Sequence, residues 1–77
     1  MDKLTPLEVQ LKKLLLDQLR EGKLFFKAKF ISEDYKIASP KQIGTSFCNM
    51  SQKNIGKIRI IPYSRSRGTT TWKVERC

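Results

Sequence analysis

Four polar residues recur at helical spacing near the middle of the chain, namely Lys41, Thr45, Asn49 and Gln52. With about 100° of rotation per residue, they point away from an apolar stripe formed by Ile43, Phe47 and Met50. Asparagine and glutamine can form paired hydrogen bonds with adenine, and lysine can neutralise a phosphate. This pattern indicates contact with a nucleic acid. The alternative is the ordinary solvated face of an amphipathic helix.

A second basic group lies in the segment SRSRGTTTW, residues 64–72. Alternation of arginine and serine is also common in flexible basic tails, so the flanking residues must decide. Apolar residues occupy every second position on both sides of the tip. They are Ile58 and Ile60 before it, and Trp72 and Val74 after it. Period-two alternation is typical of strands, so the segment is predicted to be the tip of a β-hairpin with Trp72 facing the core.

The two arginines of this tip, Arg65 and Arg67, are predicted to contact the backbone or the minor groove of DNA. Gly68 can adopt the positive φ that such a connection requires. The alternative is a solvated tip whose charges prevent pairing of exposed strand edges. Further basic residues on the outward faces of the two strands would extend the patch; they are Lys57, Arg59 and Lys73.

The charge of the chain favours a polyanionic partner. Its 77 residues carry a net charge of +9, and a hydrophobic content of 39% is enough for one small folded domain. Residues 35–77 hold nine of the 16 basic residues but only one of the seven acidic ones, Glu75. The excess of positive charge is therefore concentrated in the second half, where both candidate contact groups lie.

The chain has no histidine and only two cysteines, Cys48 and Cys77. This composition disfavours zinc sites and Ser–His or Cys–His nucleophiles, so no catalytic residue, metal ligand or cofactor is predicted. Metal-dependent cleavage of nucleic acid would need clustered carboxylates, which the basic half lacks, so an enzyme is not expected. Free thiols in a reducing cytosol are favoured, and a disulfide between Cys48 and Cys77 is the alternative. Cys48 is expected to be partly buried.

The N-terminal sequence lacks the pattern of a signal peptide, and no apolar run approaches the length of a membrane span. We therefore expect a cytoplasmic protein with no membrane partner.

The patterns that position these residues divide the chain into seven segments: helix 5–21, short strand 24–26, helix 27–36, helix 40–52, strand 56–63, hairpin loop 64–68 and strand 69–75. The first and third helices begin with the same arrangement of a cap, a proline and a capping-box partner, Thr5, Pro6 and Glu8 in one and Ser39, Pro40 and Gln42 in the other. In the second helix, Phe30, Ile31 and Tyr35 are predicted to face inward. Val9 and Leu16 form a second apolar surface on the first helix, which makes a homodimer a hypothesis.

This order of elements predicts an α+β fold of the winged helix-turn-helix type, α-β-α-α-β-β. In that arrangement the third helix lies in the DNA major groove and the hairpin lies along an adjacent groove or the backbone.

Two blocks of sequence, FFKAKFISEDYKIASPKQIG and TTTWKVER, resemble a family of small, functionally uncharacterised archaeal winged-helix proteins. The resemblance covers residues 24–76 and implies the same fold. Members of that family tend to have glycine in the turn between the second and third helices, where this chain has Lys36.

The sequence therefore predicts a nucleic-acid-binding protein and favours a DNA-binding transcriptional regulator that uses the third helix and the wing as its contact surface. A winged helix that binds another protein within a larger complex, or one that binds RNA, remains an alternative. The predicted contact residues are Ser39, Lys41, Gln42, Thr45, Asn49, Gln52, Lys57, Arg59, Arg65, Arg67 and Lys73.

Overall fold

Three helices and a three-stranded sheet account for most of residues 3–76, which the computed structural model describes. In chain order they are α1 (Pro6–Arg20), β1 (Phe25–Lys27), α2 (Ala28–Tyr35), α3 (Pro40–Ser51), β2 (Ile58–Ser66) and β3 (Thr69–Arg76). The sheet is antiparallel with the strand order β1-β3-β2, so β3 is the central strand. The mixed α+β class predicted from the sequence is confirmed.

The predicted starts of α1 and α3 are confirmed by their capping hydrogen bonds. The Glu8 amide donates to the Thr5 Oγ1 at 3.2 Å, and the Thr5 amide donates to the Glu8 Oε1 at 2.9 Å. Ser39 and Gln42 form the same reciprocal pair at the start of α3. Each box satisfies backbone donors that a helix N-terminus otherwise leaves without partners.

The core lies between the helices and the inner face of the sheet. Its fully buried members include Leu11 and Leu15 of α1 and Ile43 and Phe47 of α3. Trp72 of β3 is 7% exposed, and its ring meets the Phe47 ring edge to face, with the centroids 5.8 Å apart. The predicted inward faces of α3 and of the strands are therefore confirmed, Met50, Ile58, Ile60 and Val74 also being buried.

The prediction that Phe30 and Tyr35 of α2 face inward is wrong. Phe30 is 51% exposed and Tyr35 is 42% exposed, whereas Ile31 is buried. The reason is the close approach of α2 to α3, since the methyl group of Ala28 lies 3.9 Å from the position that a Cβ on Gly44 would take. This contact turns the Ala28 and Ile31 side of a short helix toward the core and leaves its aromatic neighbours outside.

The hairpin connection is shorter than the predicted loop 64–68. Pairing continues to Ser66 and Thr69, so the turn contains only Arg67 and Gly68. Their φ values are +51° and +77°, the backbone of a two-residue turn that matches the twist of the flanking strands.

Pro62 does not end the pairing of β2, although a proline cannot donate a backbone hydrogen bond to the ladder. Pro62 pairs with Trp72 and Ser64 pairs with Thr71, so Tyr63 is an extra residue without a partner in the ladder. A β-bulge of this kind lets a strand accommodate a residue that has no backbone N–H. The Tyr63 side chain is 61% exposed as a result.

A buried ion pair joins α1 to the end of α3. The Glu8 side chain is 1% exposed, and its Oε1 accepts a hydrogen bond from the Lys53 Nζ at 2.9 Å. Burial alone would raise the pKa of Glu8, but the Lys53 ammonium and the hydrogen bonds from Thr5 and Lys53 outweigh it and lower this pKa below its ordinary value of 4.5. The sequence predicted the cap but not this second role of Glu8.

Replacing Glu8 by alanine should lower the free energy of unfolding by about 2 kcal/mol, because it removes the cap acceptor and leaves Lys53 without its partner. Glu8→Gln keeps a capping-box side chain and should cost about half as much. Since the pKa of folded Glu8 is lowered, the stabilising effect of its charge is complete above pH 4.5 and is lost as the pH falls through the folded value. Urea unfolding at several pH values measures this. A difference between wild type and Glu8→Gln that persists unchanged in strong acid would contradict it.

Lys36 adopts the left-handed conformation at the end of α2, with φ +53° and ψ +32°. Its amide donates to the Ser32 carbonyl at 3.0 Å, which closes the helix before the turn to Ser39. Glycine is the residue that adopts this conformation without steric cost. Lys36 therefore adopts a backbone conformation that glycine would adopt at lower cost.

Lys36→Gly should raise the free energy of unfolding by roughly 0.5–1 kcal/mol, because it removes the steric cost of a side chain at positive φ. Lys36→Ala is the matched control, since it removes the same charge but keeps the Cβ atom. Equal stabilisation by both variants in urea unfolding would show that charge, not backbone conformation, is the cause.

Candidate nucleic-acid interface

An open groove of about 890 Å³ lies between α3 and the β2–β3 hairpin. We call it the α3–hairpin groove; its lining includes Lys41, Thr45, Cys48 and Gln52 of α3, Arg65, Thr69 and Thr70 of the hairpin, Lys29 of α2, and Trp72. The Phe47–Trp72 contact places these two walls side by side, because Phe47 belongs to α3 and Trp72 to the central strand. The groove therefore joins the two basic groups that the sequence indicated.

The lining of this groove is cationic. Lys29, Lys41 and Arg65 line it, and none of the carboxylates within residues 3–76 does. All three residues are exposed, so their charged groups can contact phosphates of a ligand. Thr45 and Gln52 add a hydroxyl and an amide between the charges, which can donate and accept hydrogen bonds. The groove can thus bind an extended polyanion.

The predicted outward face of α3 is confirmed as a structural feature. Lys41, Thr45, Asn49 and Gln52 are all exposed. Asn49 lies on this face without lining the groove, so it faces solvent beyond the groove wall.

Ser39 and Gln42, also predicted as contact residues, bond mainly to each other. The Ser39 Oγ accepts from the Gln42 amide at 3.3 Å, and the Gln42 Oε1 accepts from the Ser39 amide at 3.1 Å. Both residues are exposed, but these bonds already employ their side-chain oxygens in the cap.

Arg59 and Lys73 lie on the outer face of the sheet, away from the α3–hairpin groove. Both flank Glu75, the Arg59 Nη2 at 3.6 Å and the Lys73 Nζ at 3.3 Å from its carboxylate oxygens. Surface pairs of this kind contribute little to stability, but they offset part of the positive charge on this face. The predicted contact set therefore does not form a single surface.

Two further predicted residues occupy turns with left-handed backbone. Arg67 is at the hairpin tip with φ +51°, and Lys57 precedes β2 with φ +62°. Lys57 is therefore not the strand residue predicted within 56–63. Together with Lys36, these are the non-glycine residues with positive φ in the part of the chain that the structure describes, and all three are basic and exposed.

Lys29 and Cys48 line the groove but were not among the predicted contact residues. Cys48 was expected to be partly buried, whereas it is exposed. The position of Lys29 could have been inferred from Gly44. This small residue beside the apolar stripe of α3 lets the start of α2, where Lys29 lies, approach α3 closely. Cys77 lies outside the described residues.

The predicted dimer surface on α1 is not supported by the packing. Val9 is 53% exposed, but Leu16 is half-buried and packs against the core. The two side chains therefore do not form a continuous exposed apolar seam.

Residues 3–76 contain no group of three or more Cys, Asp or Glu side chains that could hold a metal ion. Within the same residues, no helix has the length and hydrophobicity to cross a membrane.

These features define an α+β domain, built from three helices and a three-stranded antiparallel sheet, with a cationic groove between its third helix and its hairpin. The chain belongs to a family described as a domain of unknown function, DUF7123, whose model matches residues 1–76. Comparisons with curated proteins and with solved structures gave no match. The family is thus an uncharacterised one, as the sequence resemblance implied.

The exposed thiol of Cys48 provides a direct test of what occupies the groove. In a Cys77→Ser variant, Cys48 should react with a maleimide in the folded protein, and a 20-base-pair DNA duplex should slow this reaction at least about fivefold by covering the groove. The rate is measured by mass spectrometry. As a control, Lys13→Cys in a Cys48→Ser, Cys77→Ser background reports from an exposed position on α1 that does not line the groove. Equal protection of both thiols would argue against occupation of the groove.

Proposed function

We propose that this protein is a winged-helix DNA-binding protein acting as a transcriptional regulator, with α3 in the major groove and the hairpin as the wing. The observation that carries this proposal is the α3–hairpin groove, which is lined by both Lys41 and Arg65 and by no carboxylate of residues 3–76. The order of the elements supports it, because three helices followed by a β-hairpin is the arrangement of that fold.

The dimensions of α3 suit a major groove. Its 12 residues extend for about 18 Å, and B-DNA admits a helix in a major groove about 12 Å wide. Lys41, Thr45 and Asn49 lie along its exposed face. The helix can therefore enter the major groove with this face while its apolar face stays packed in the core. Asn49 is then the residue best suited to read a base, since an amide can bond to adenine at two positions.

The hairpin suits the role of a wing. Residues 62–69 are all exposed, so β2 and β3 project beyond the core as a paired ribbon. The bulge at Tyr63 and the tight turn at Arg67 and Gly68 keep this ribbon short and defined. Arg65 and Arg67 are thus held at a fixed distance from α3.

The backbone adds an independent argument. Lys36, Lys57 and Arg67 adopt positive φ, where glycine or asparagine would cost less. Such local costs persist where a side chain serves another purpose. A requirement for positive charge at these exposed positions explains why basic residues occupy them. The proposal involves no catalytic step.

Binding of a fluorescent random-sequence 20-base-pair duplex, followed by anisotropy, tests the proposal. If about four phosphates are neutralised, the logarithm of the affinity should fall with the logarithm of the salt concentration at a slope of roughly −3.5. Replacing Arg65 and Arg67 together by alanine should weaken binding to all sequences and reduce the slope by about two. Asn49→Ala should instead change the preference among sequences in a selection from a random library.

The matched control is Lys13→Ala with Arg20→Ala, which removes two exposed charges from α1. An equal loss of affinity in this control would mean that total charge, not the groove, controls binding. A slope near zero would favour the alternative of a winged helix that binds another protein. Tighter binding to an RNA duplex of the same sequence would favour the RNA alternative.

A further inference from the structure

Two aromatic side chains meet on the solvent-facing side of the sheet. The rings of Phe25 and Tyr63 contact each other edge to face, with centroids 4.8 Å apart and planes at 62°. Phe25 is 42% exposed and Tyr63 is 61% exposed. This pair lies outside the core, whose inner sheet face is covered by the buried Phe26 and Trp72.

The backbone brings these rings together by two separate features. Phe25 alternates with the buried Phe26, so it must point to the outer face. Tyr63 is the unpaired residue of the bulge in β2 and reaches across the central strand toward β1. Bulges commonly redirect a side chain in this way.

The pair connects the α3–hairpin groove to a second groove. Tyr63 lines the first, and Phe25 lines the second, which has a volume of about 460 Å³ and lies between β1, α1 and α2. The second groove is also lined by Phe30 and Tyr35, the two aromatic residues of α2 that the core leaves exposed. Aromatic rings therefore continue from one groove to the other.

The rim of the second groove is basic. The Lys23 Nζ lies 5.4 Å from the centre of the Phe26 ring, and the Lys27 Nζ lies 5.9 Å from that of Phe30. Asp34 is the carboxylate among the lining residues. A second copy of this chain would carry the same rim and a net charge of +9, so repulsion disfavours it as the occupant. The complementary occupant is an anion with flat apolar groups.

We propose that the Phe25–Tyr63 pair and the adjoining groove bind unpaired nucleotides of a single-stranded nucleic acid. Bases stack on exposed aromatic rings irrespective of their sequence, and lysines beside the rings neutralise the intervening phosphates. A single strand carries a flat base and a phosphate on every nucleotide. An acidic peptide would need aromatic side chains at the same spacing as the exposed rings. The argument from groove continuity rests on the proposed function, but the argument from charge and aromatic exposure does not.

The test compares fluorescent oligothymidylate of 12 nucleotides with an abasic 12-mer of equal charge. Wild type should bind the thymidylate at least about tenfold more tightly, because only it can stack. Phe25→Ala and Tyr63→Ala should each remove about tenfold of that affinity, and Tyr63→Phe should retain it. Val9→Ala is the control, because Val9 is an exposed apolar residue that lines neither groove. Thermal unfolding verifies that each variant folds.

Equal binding of the two oligomers, or unchanged affinity in both alanine variants, would overturn the proposal. So would preferential binding of a glutamate–tyrosine copolymer that depends on Phe25, which would assign the surface to an acidic protein.

The same variants titrated with duplex DNA separate the two proposals. Phe25→Ala should keep its duplex affinity within about twofold, whereas the double replacement of Arg65 and Arg67 should not. Base-dependent binding of the single strand without duplex binding would refute only the duplex function.

Discussion

The edge-to-face contact between Phe47 and Trp72 determines how the rest of the molecule is arranged. Phe47 is the central buried residue of α3, and Trp72 belongs to the strand that pairs on both sides. Aromatic pairs of this geometry have a defined orientation in addition to the area they bury. The contact therefore fixes the helix against the sheet, and the polar side of α3 and the hairpin then lie on either side of one groove.

The same contact explains why the cationic residues are divided among several surfaces. Strand residues alternate between two faces, so every residue of β3 next to Trp72 in sequence must face away from α3. Lys73 consequently lies on the outer side with Arg59 and Glu75. The basic residues of the second half are thus distributed over several surfaces, among them the groove, the hairpin tip and the outer face of the sheet. The hairpin tip adjoins the groove, because Gly68 lines it.

Local signals predicted more of this structure than signals that depend on packing. The caps at Thr5 and Ser39 and the inward direction of Trp72 follow from residues within a few positions, and all are confirmed. The exposure of Phe30, the position of Lys29 and the pairing of Glu8 with Lys53 depend on where separate helices meet, which periodicity does not specify. The strand bulge also escaped prediction, because Pro62 alone indicates an interruption and not its form.

Pairing between the first and last strands constrains the order in which the protein can fold. Phe26 is opposite Trp72, so residues 46 positions apart in the chain must meet before the sheet has its third strand. Contacts this distant in sequence form slowly, because closing the intervening loop costs entropy first. During synthesis on the ribosome, the three helices emerge before Trp72 exists to cover Phe47. Their apolar faces must therefore remain without a complete core until almost the whole domain has been translated.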